Sequence, residues 1–181
     1  MGFAFVSGSA ALDLVGTVTW RRADPTELLT GPADLARWLD ACADLPDGVT
    51  VTPEVLGRAR DLREAVHRLA TDRLAGRAFD PAALAVVNGT ARGPGLTVQL
   101  DDHGTRRTGD ADAVLAELAR DAVAVLADRD TPLKECGRPA CTRLYLDRSR
   151  GARRTWCGMD ECGNRVKAAA YRARKKTITG S

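Results

Sequence analysis

Histidine is nearly absent from this chain of 181 residues. There are two, His67 and His103, and neither has a Cys, Ser or His near it in sequence to make a dyad. His67 falls on the arginine-rich side of its segment and His103 at a turn, so both are expected on the surface. No GxSxG, HExxH, phosphate loop or dinucleotide fingerprint occurs. The chain thus offers no catalytic constellation, and a non-enzymatic protein is expected. Long apolar runs are also missing, so no bilayer-spanning segment is predicted. The start, MGFAFVSGSAALDLVGTV, lacks the basic residues of a secretory leader, and Asp13 interrupts its apolar part. A cytoplasmic protein is expected. There is no internal repeat. Aromatic residues make up 4%. In the basic C-terminal stretch only Tyr145, Trp156 and Tyr171 could stack on unpaired bases, which ranks RNA below DNA as a partner.

What is present is enough apolar residue for a core, 44%, in a pattern that is mostly helical. Gly31-Pro32 suits a helix start, followed by a face of Leu35, Trp38, Leu39 and Cys42. Cys42 sits at helical spacing among apolar positions and reads as a small core residue. Thr52 caps and Pro53 opens the next segment, with Val55, Ala59, Leu62, Val66 and Leu69 at alternating steps of four and three. Asp80-Pro81 repeats the start signal. Asp110 or Asp112 caps a last helix through Val114, Leu118, Ala122 and Leu126. Between the last two helices, Leu96, Val98 and Leu100 alternate with polar residues before Asp102-His103-Gly104, which predicts a β-hairpin. Pro132 marks the expected domain boundary.

Charge is unevenly spread. Residues 134–181 carry a net +9 and the remainder −6, within a total of +3. An acidic body with a basic end points to a polyanion partner for that end. Four of the five cysteines lie in the same stretch. They run Cys136-x4-Cys141, fifteen residues, then Cys157-x4-Cys162. In a reducing compartment such a cluster favours metal over disulfides. Two thiol pairs on turns rich in Gly and Pro can supply the four tetrahedral ligands of a structural Zn²⁺. Zinc is the expectation, with two disulfides or an iron–sulfur cluster as the alternatives the spacing admits. A piece this small needs such a staple to fold. RLYLD is expected to turn at RSRG and pair with ARRTW. At about 100° per residue, Val166, Ala169, Ala170 and Ala173 share one face of a terminal helix. Arg165, Lys167, Arg172, Arg174, Lys175 and Lys176 occupy the rest, joined by Arg148, Arg150, Arg153 and Arg154 from the hairpin. Such a ridge suits the phosphates and guanine edges of double-stranded DNA.

The tetrapeptide Cys162-Gly163-Asn164-Arg165 is the signature of the CGNR zinc-finger family. The CxxxxC pair before it, LYLDRSRGARRTWC and VKAAAYRARKK extend the resemblance over about 134–176. It implies zinc on Cys136, Cys141, Cys157 and Cys162, and a role for Asn164 and Arg165 at the helix start in capping and phosphate contact. In that family the finger follows an ABATE domain, and members are bacterial transcription regulators linked to stress. ALDLVGTVTWRR resembles the early ABATE motif, an LDF-type run followed by Asn-Thr, with Gly16 standing where Asn is expected. RDLREAVHRL and DAVAVLADRD are similar to the family's helices.

The expected protein is therefore mainly α with one β-hairpin over 1–132, then a treble-clef-like α+β zinc finger over 133–176 and a disordered tail over 177–181. Its expected role is zinc-dependent DNA-binding transcription regulation, with an N-terminal domain that senses a small-molecule effector or forms a homodimer. A protein-interaction module with structural zinc and a thiol-based redox sensor are the alternatives.

Overall fold

The computed structural model describes residues 2–102, 104–164 and 168. Five helices dominate: α1 (Ala10–Val15), α2 (Pro32–Asp40), α3 (Pro53–Leu74), α4 (Pro81–Ala91) and α5 (Ala111–Ala127). Their starts follow local chemistry. The side chains of Ser9, Thr52, Asp80 and Asp110 each accept a hydrogen bond from a first-turn backbone N–H of α1, α3, α4 and α5. Proline opens α2, α3 and α4, where its missing N–H costs nothing. No helix among the described residues is long and apolar enough to cross a membrane.

α3 is the central element and packs on α1, α2, α4 and α5. The core around it holds Trp38, Leu12, Leu14, Leu35, Leu62, Leu69 and Leu118, each at most 1% exposed. Each such aliphatic side chain contributes about 1.5–3 kcal/mol by leaving water. α3 also carries two charged residues inward. Asp72 is 1% exposed and accepts from Arg68, Arg77 and the Asp80 amide. Arg63 is 4% exposed and clasps Glu27, which lies in the short antiparallel pair β1 (Val18–Thr19) and β2 (Thr26–Glu27).

The predicted hairpin forms as β3 (Thr97–Asp101) and β4 (Gly104–Thr108), in register from Thr97↔Thr108 to Asp101↔Gly104. Leu96, just before β3, packs on the core, but beyond it the hairpin stands in solvent: Val98 is 60% and Leu100 86% exposed. His103 lies outside the described residues. His67, expected on the surface, is instead half-buried, and burial followed by the charge of Arg21 pushes its pKa down to about 4.

The last strand pair corrects another expectation. β6 (Leu144–Leu146) pairs backward with β5 (Leu133–Glu135), not forward with ARRTW. All three residues of β6 are buried, so this strand is covered on both faces. Leu133, Leu144 and Leu146 join the helical core across the expected boundary at Pro132. The Leu146 amide donates to the Ser7 carbonyl at 2.8 Å.

Candidate metal centre

β5 delivers Cys136 and the following turn delivers Cys141. The Cys136 amide donates to the Arg143 carbonyl at 2.9 Å and the Cys141 amide to the Arg138 carbonyl at 2.8 Å, so the first thiol loop closes on itself. Gly137 donates to the Thr155 carbonyl at 2.8 Å. A Cβ there would meet Thr155 Cγ2 at 2.9 Å and its carbonyl oxygen at 3.1 Å. Only glycine permits this approach. The second pair comes from a bend at Trp156–Cys157 and a single π-helical turn, Met159–Gly163.

The return segment is held by side chains instead of a ladder. Asp147 is 2% exposed and is the hub. It accepts from Lys134 Nζ at 2.7 Å, Ser149 Oγ at 2.6 Å, the Ser149 amide at 3.0 Å and the Arg154 amide at 2.9 Å. Burial alone would raise its pKa, but the bonds from Lys134 and Ser149 outweigh it and hold the carboxyl far below the usual range. Lys134 also donates to the carbonyls of Ala152 and Arg154. These bonds satisfy the groups that a forward ladder would have paired.

The four thiols meet at one point. Their sulfurs all lie within 4.8 Å of one another, and the residues are 0–5% exposed. Cys141 Sγ is 3.8 Å from Cys157 Sγ, which is 3.7 Å from Cys162 Sγ. Four thiolates at the usual Zn–S distance of ~2.3 Å form a tetrahedron with edges of about 3.8 Å. Disulfide sulfurs would sit about 2.05 Å apart, and all five cysteines are free. Four sulfurs this close leave room for one ion, not for a cluster of several irons between them. No carboxylate or imidazole shares the site among the described residues.

Electrostatics agree. The Cys141 thiol is pulled down to about 5, first by the hydrogen bond from Cys157. Cys157 is raised, first by that same bond to Cys141 and then by burial. Cys162 is raised to about 11, first by burial and then by the Cys141 charge. The Cys141 thiolate thus resists ionisation of Cys157 and Cys162, a repulsion that a bound dication relieves. The Cys157 amide points at Cys136 Sγ at 3.4 Å, and Arg138 Nη1 lies 4.0 Å from Cys162 Sγ. Such outer contacts orient the ligands. The centre is a structural zinc site closed by Cys136, Cys141, Cys157 and Cys162.

Around it pack Tyr145, Val6, Trp20 and Trp156. Arg138 covers the Trp20 ring at 4.7 Å. Arg154 covers the Tyr145 ring at 4.4 Å and donates to the carbonyls of Val6, Trp156 and Cys157. Arg154 is thus engaged inside the protein through Nε and Nη2. Arg148, Arg150 and Arg153 are exposed on the loop beyond Asp147, with Arg148 Nη1 also donating to the Gly8 carbonyl at 3.1 Å. Asn164 is exposed, and its backbone N–H closes the π-helical turn onto the Met159 carbonyl. Arg165, Lys167, Arg172, Arg174, Lys175 and Lys176 lie outside the described residues. So do Val166, Ala169, Ala170 and Ala173, the expected packing face. Sequence reading passed over Asp147, Lys134 and Trp20. For Asp147 a signal existed, since an Asp two residues before a Ser marks a side-chain-closed turn.

Two family matches cover the chain. Residues 8–129 match ABATE, described as "Putative stress-induced transcription regulator". Residues 133–175 match the CGNR zinc finger. A search of curated proteins finds no match. With two thirds of its length in the first match and the four zinc thiols in the second, the chain belongs to the ABATE family and carries a CGNR zinc finger.

Proposed function

We propose that this protein is a zinc-dependent regulator that binds double-stranded DNA through its finger, and that it is not an enzyme. The observation that carries the reading is the exposed arginine loop. Arg148, Arg150 and Arg153 are held on a segment locked by Asp147 and Lys134. That segment runs directly into the zinc thiols and, in sequence, into the basic stretch 165–176. A rigid cationic surface suits phosphates, because each phosphate neutralised releases counterions. Thiols as enclosed as these are poorly placed for redox sensing, which needs an accessible thiolate.

The helical body supplies a place for an effector. A cavity of about 630 Å³ lies between the start of α1, the end of α2 and α5, and Phe5, Asp13, Cys42, Leu118, Asp121 and Arg148 line it. Its size suits a small ligand. Burial, and after it the charges of Asp13, Asp44 and Asp121, push the Cys42 thiol up to about 11. On the cavity wall Asp13, Asp44, Glu117 and Asp121 outnumber Arg107 and Arg148, a balance that favours a small organic cation. Arg148 belongs to both the cavity wall and the DNA-facing loop, so occupancy and DNA affinity are coupled.

The test is a titration of duplex DNA into the zinc-loaded protein over a range of salt. Affinity should fall steeply with salt, and Arg150→Ala should reduce the log–log slope by about 1. A strong chelator should abolish binding, and small amines should shift the affinity. Full affinity in the metal-free protein would overturn the DNA reading. Amines without effect would remove the effector part alone.

A further inference from the structure

The β3–β4 hairpin is the part of the molecule that the body's own packing explains least. All five residues of β3 are exposed. Leu100, at 86%, is the most exposed large apolar residue among those described. No strand lies beyond β3 on its outer side among the described residues. The hairpin is tied to the body by Arg107, which donates to the Asp44 carbonyl and carboxylate, and by Leu96 at its foot, which packs on the core. An isolated two-stranded hairpin is marginal in water, and an open edge bearing Val and Leu is a template for another strand.

The register decides which backbone groups point outward. A two-residue connection makes Asp101–Gly104 a hydrogen-bonded pair. Alternation then makes Gln99–Arg106 and Thr97–Thr108 hydrogen-bonded pairs as well. The N–H and C=O groups of Thr97, Gln99 and Asp101 are spent on β4. Those of Val98 and Leu100 face the open edge.

That edge is complementary to itself. When a second β3 runs antiparallel with the twofold axis at Gln99, Val98 of each copy faces Leu100 of the other. These two pairs are the hydrogen-bonded ones, and they satisfy all four outward N–H groups. Gln99 faces Gln99 in a non-hydrogen-bonded pair, with Cα atoms about 4.5 Å apart. Asp101 faces Thr97, so no like charges meet. Val98 and Leu100 of both copies fall on one face and form an apolar patch that a single copy lacks. The β4 edge has no such match, because a twofold axis there sets Arg106 against Arg106.

We propose that this protein forms a twofold homodimer by pairing β3 edges into a four-stranded antiparallel sheet, ordered β4–β3–β3–β4. The occupant of the edge is a second copy because charge, apolar positions and backbone donors all match under one twofold operation. The inference uses only the hairpin and stands apart from the DNA reading.

The test uses the full-length, zinc-loaded chain in sedimentation equilibrium. The wild type should have twice the 19.3 kDa chain mass. Leu100→Lys should sediment as a monomer with an unchanged circular-dichroism spectrum, since its side chain touches solvent in the single copy. Mild oxidation of Gln99→Cys should cross-link two chains through that residue, whereas Arg106→Cys should not. A wild type of single-chain mass at every concentration would overturn the proposal. So would a dimer indifferent to Leu100→Lys, or Arg106→Cys cross-linking as fast as Gln99→Cys. Should Leu100→Lys misfold, the cross-linking pair reads the geometry without it.

Discussion

Arg63 carries a full positive charge into the helical core, and its surroundings show what makes that tolerable. Nη1 and Nη2 each reach a Glu27 oxygen at 2.7 Å, Nε reaches Glu64 at 2.8 Å, and Nη1 also reaches Thr17 Oγ1 at 3.2 Å. A forked, bidentate pair offsets the desolvation that burial costs. Burial would raise the Glu27 pKa, but the Arg63 hydrogen bonds, the Leu29 amide and nearby arginine charge bring it below the usual range. A carboxyl with a lowered folded-state pKa stabilises the fold at neutral pH, and that contribution disappears as pH falls below about 4. Glu27→Gln should therefore cost roughly 2 kcal/mol at pH 7, less than a fully buried pair because the Glu27 side chain keeps 32% exposure. The gap between the two proteins should close in acid. Urea unfolding of both from pH 7 to about pH 2 checks this, and a gap that ignores pH would deny Glu27 the role. His67 acts in the same sense. Its lowered pKa, near 4, keeps it neutral in the fold at ordinary pH, and stability is lost as pH falls below the unfolded value of about 6.5.

Elements α2 to α5 were legible in the sequence because their start signals are local. Thr52, Asp80 and Asp110 act within three residues of themselves, and the apolar spacing needs no partner to be read. The strand LYL was legible only in part. Leu144, Tyr145 and Leu146 announce a buried strand, but a wholly apolar run does not say which neighbour it pairs with. β5 won that pairing because Asp147 and Lys134 bind the return segment through side chains. The six-residue α1 and the two-residue strands β1 and β2 left no periodic signal at all. For the first thiol loop, the close approach of Gly137 to Thr155 carries a prediction. Gly137→Ala should push the two segments apart and speed zinc release by about tenfold, the lower end for outer-shell contacts. Competition with a chromophoric chelator measures it, and an unchanged release rate would free Gly137 of this task.

At the scale of the whole molecule, the finger is built into the body. Leu133, Leu144 and Leu146 sit in the helical core. The Leu146 amide holds Ser7, Arg154 holds Val6, and Arg22 pairs with Glu135. Zinc should thus stabilise more than the residues around it. Stripping zinc should change tryptophan fluorescence, because Trp20 and Trp156 lie against the thiols. Helical circular dichroism should largely remain, since Trp38 and the core around α3 need no metal. The thermal midpoint of that helical signal should nevertheless fall. A midpoint unmoved by zinc removal would mean that the two parts are energetically independent despite their shared core.

The four zinc ligands, the helices and the separation of charge were determined by the sequence alone. Each rests on residue type at short, countable spacing, which folding does not alter. What only the tertiary structure decided is how these parts join. It placed Arg63 and Asp72 inside, turned Arg154 from the surface onto Tyr145, paired β6 backward and left Leu100 in solvent. Those outcomes depend on contacts between residues far apart in the chain, such as Ser7 with Leu146. No local pattern encodes which of several chemically adequate partners will be the one within reach.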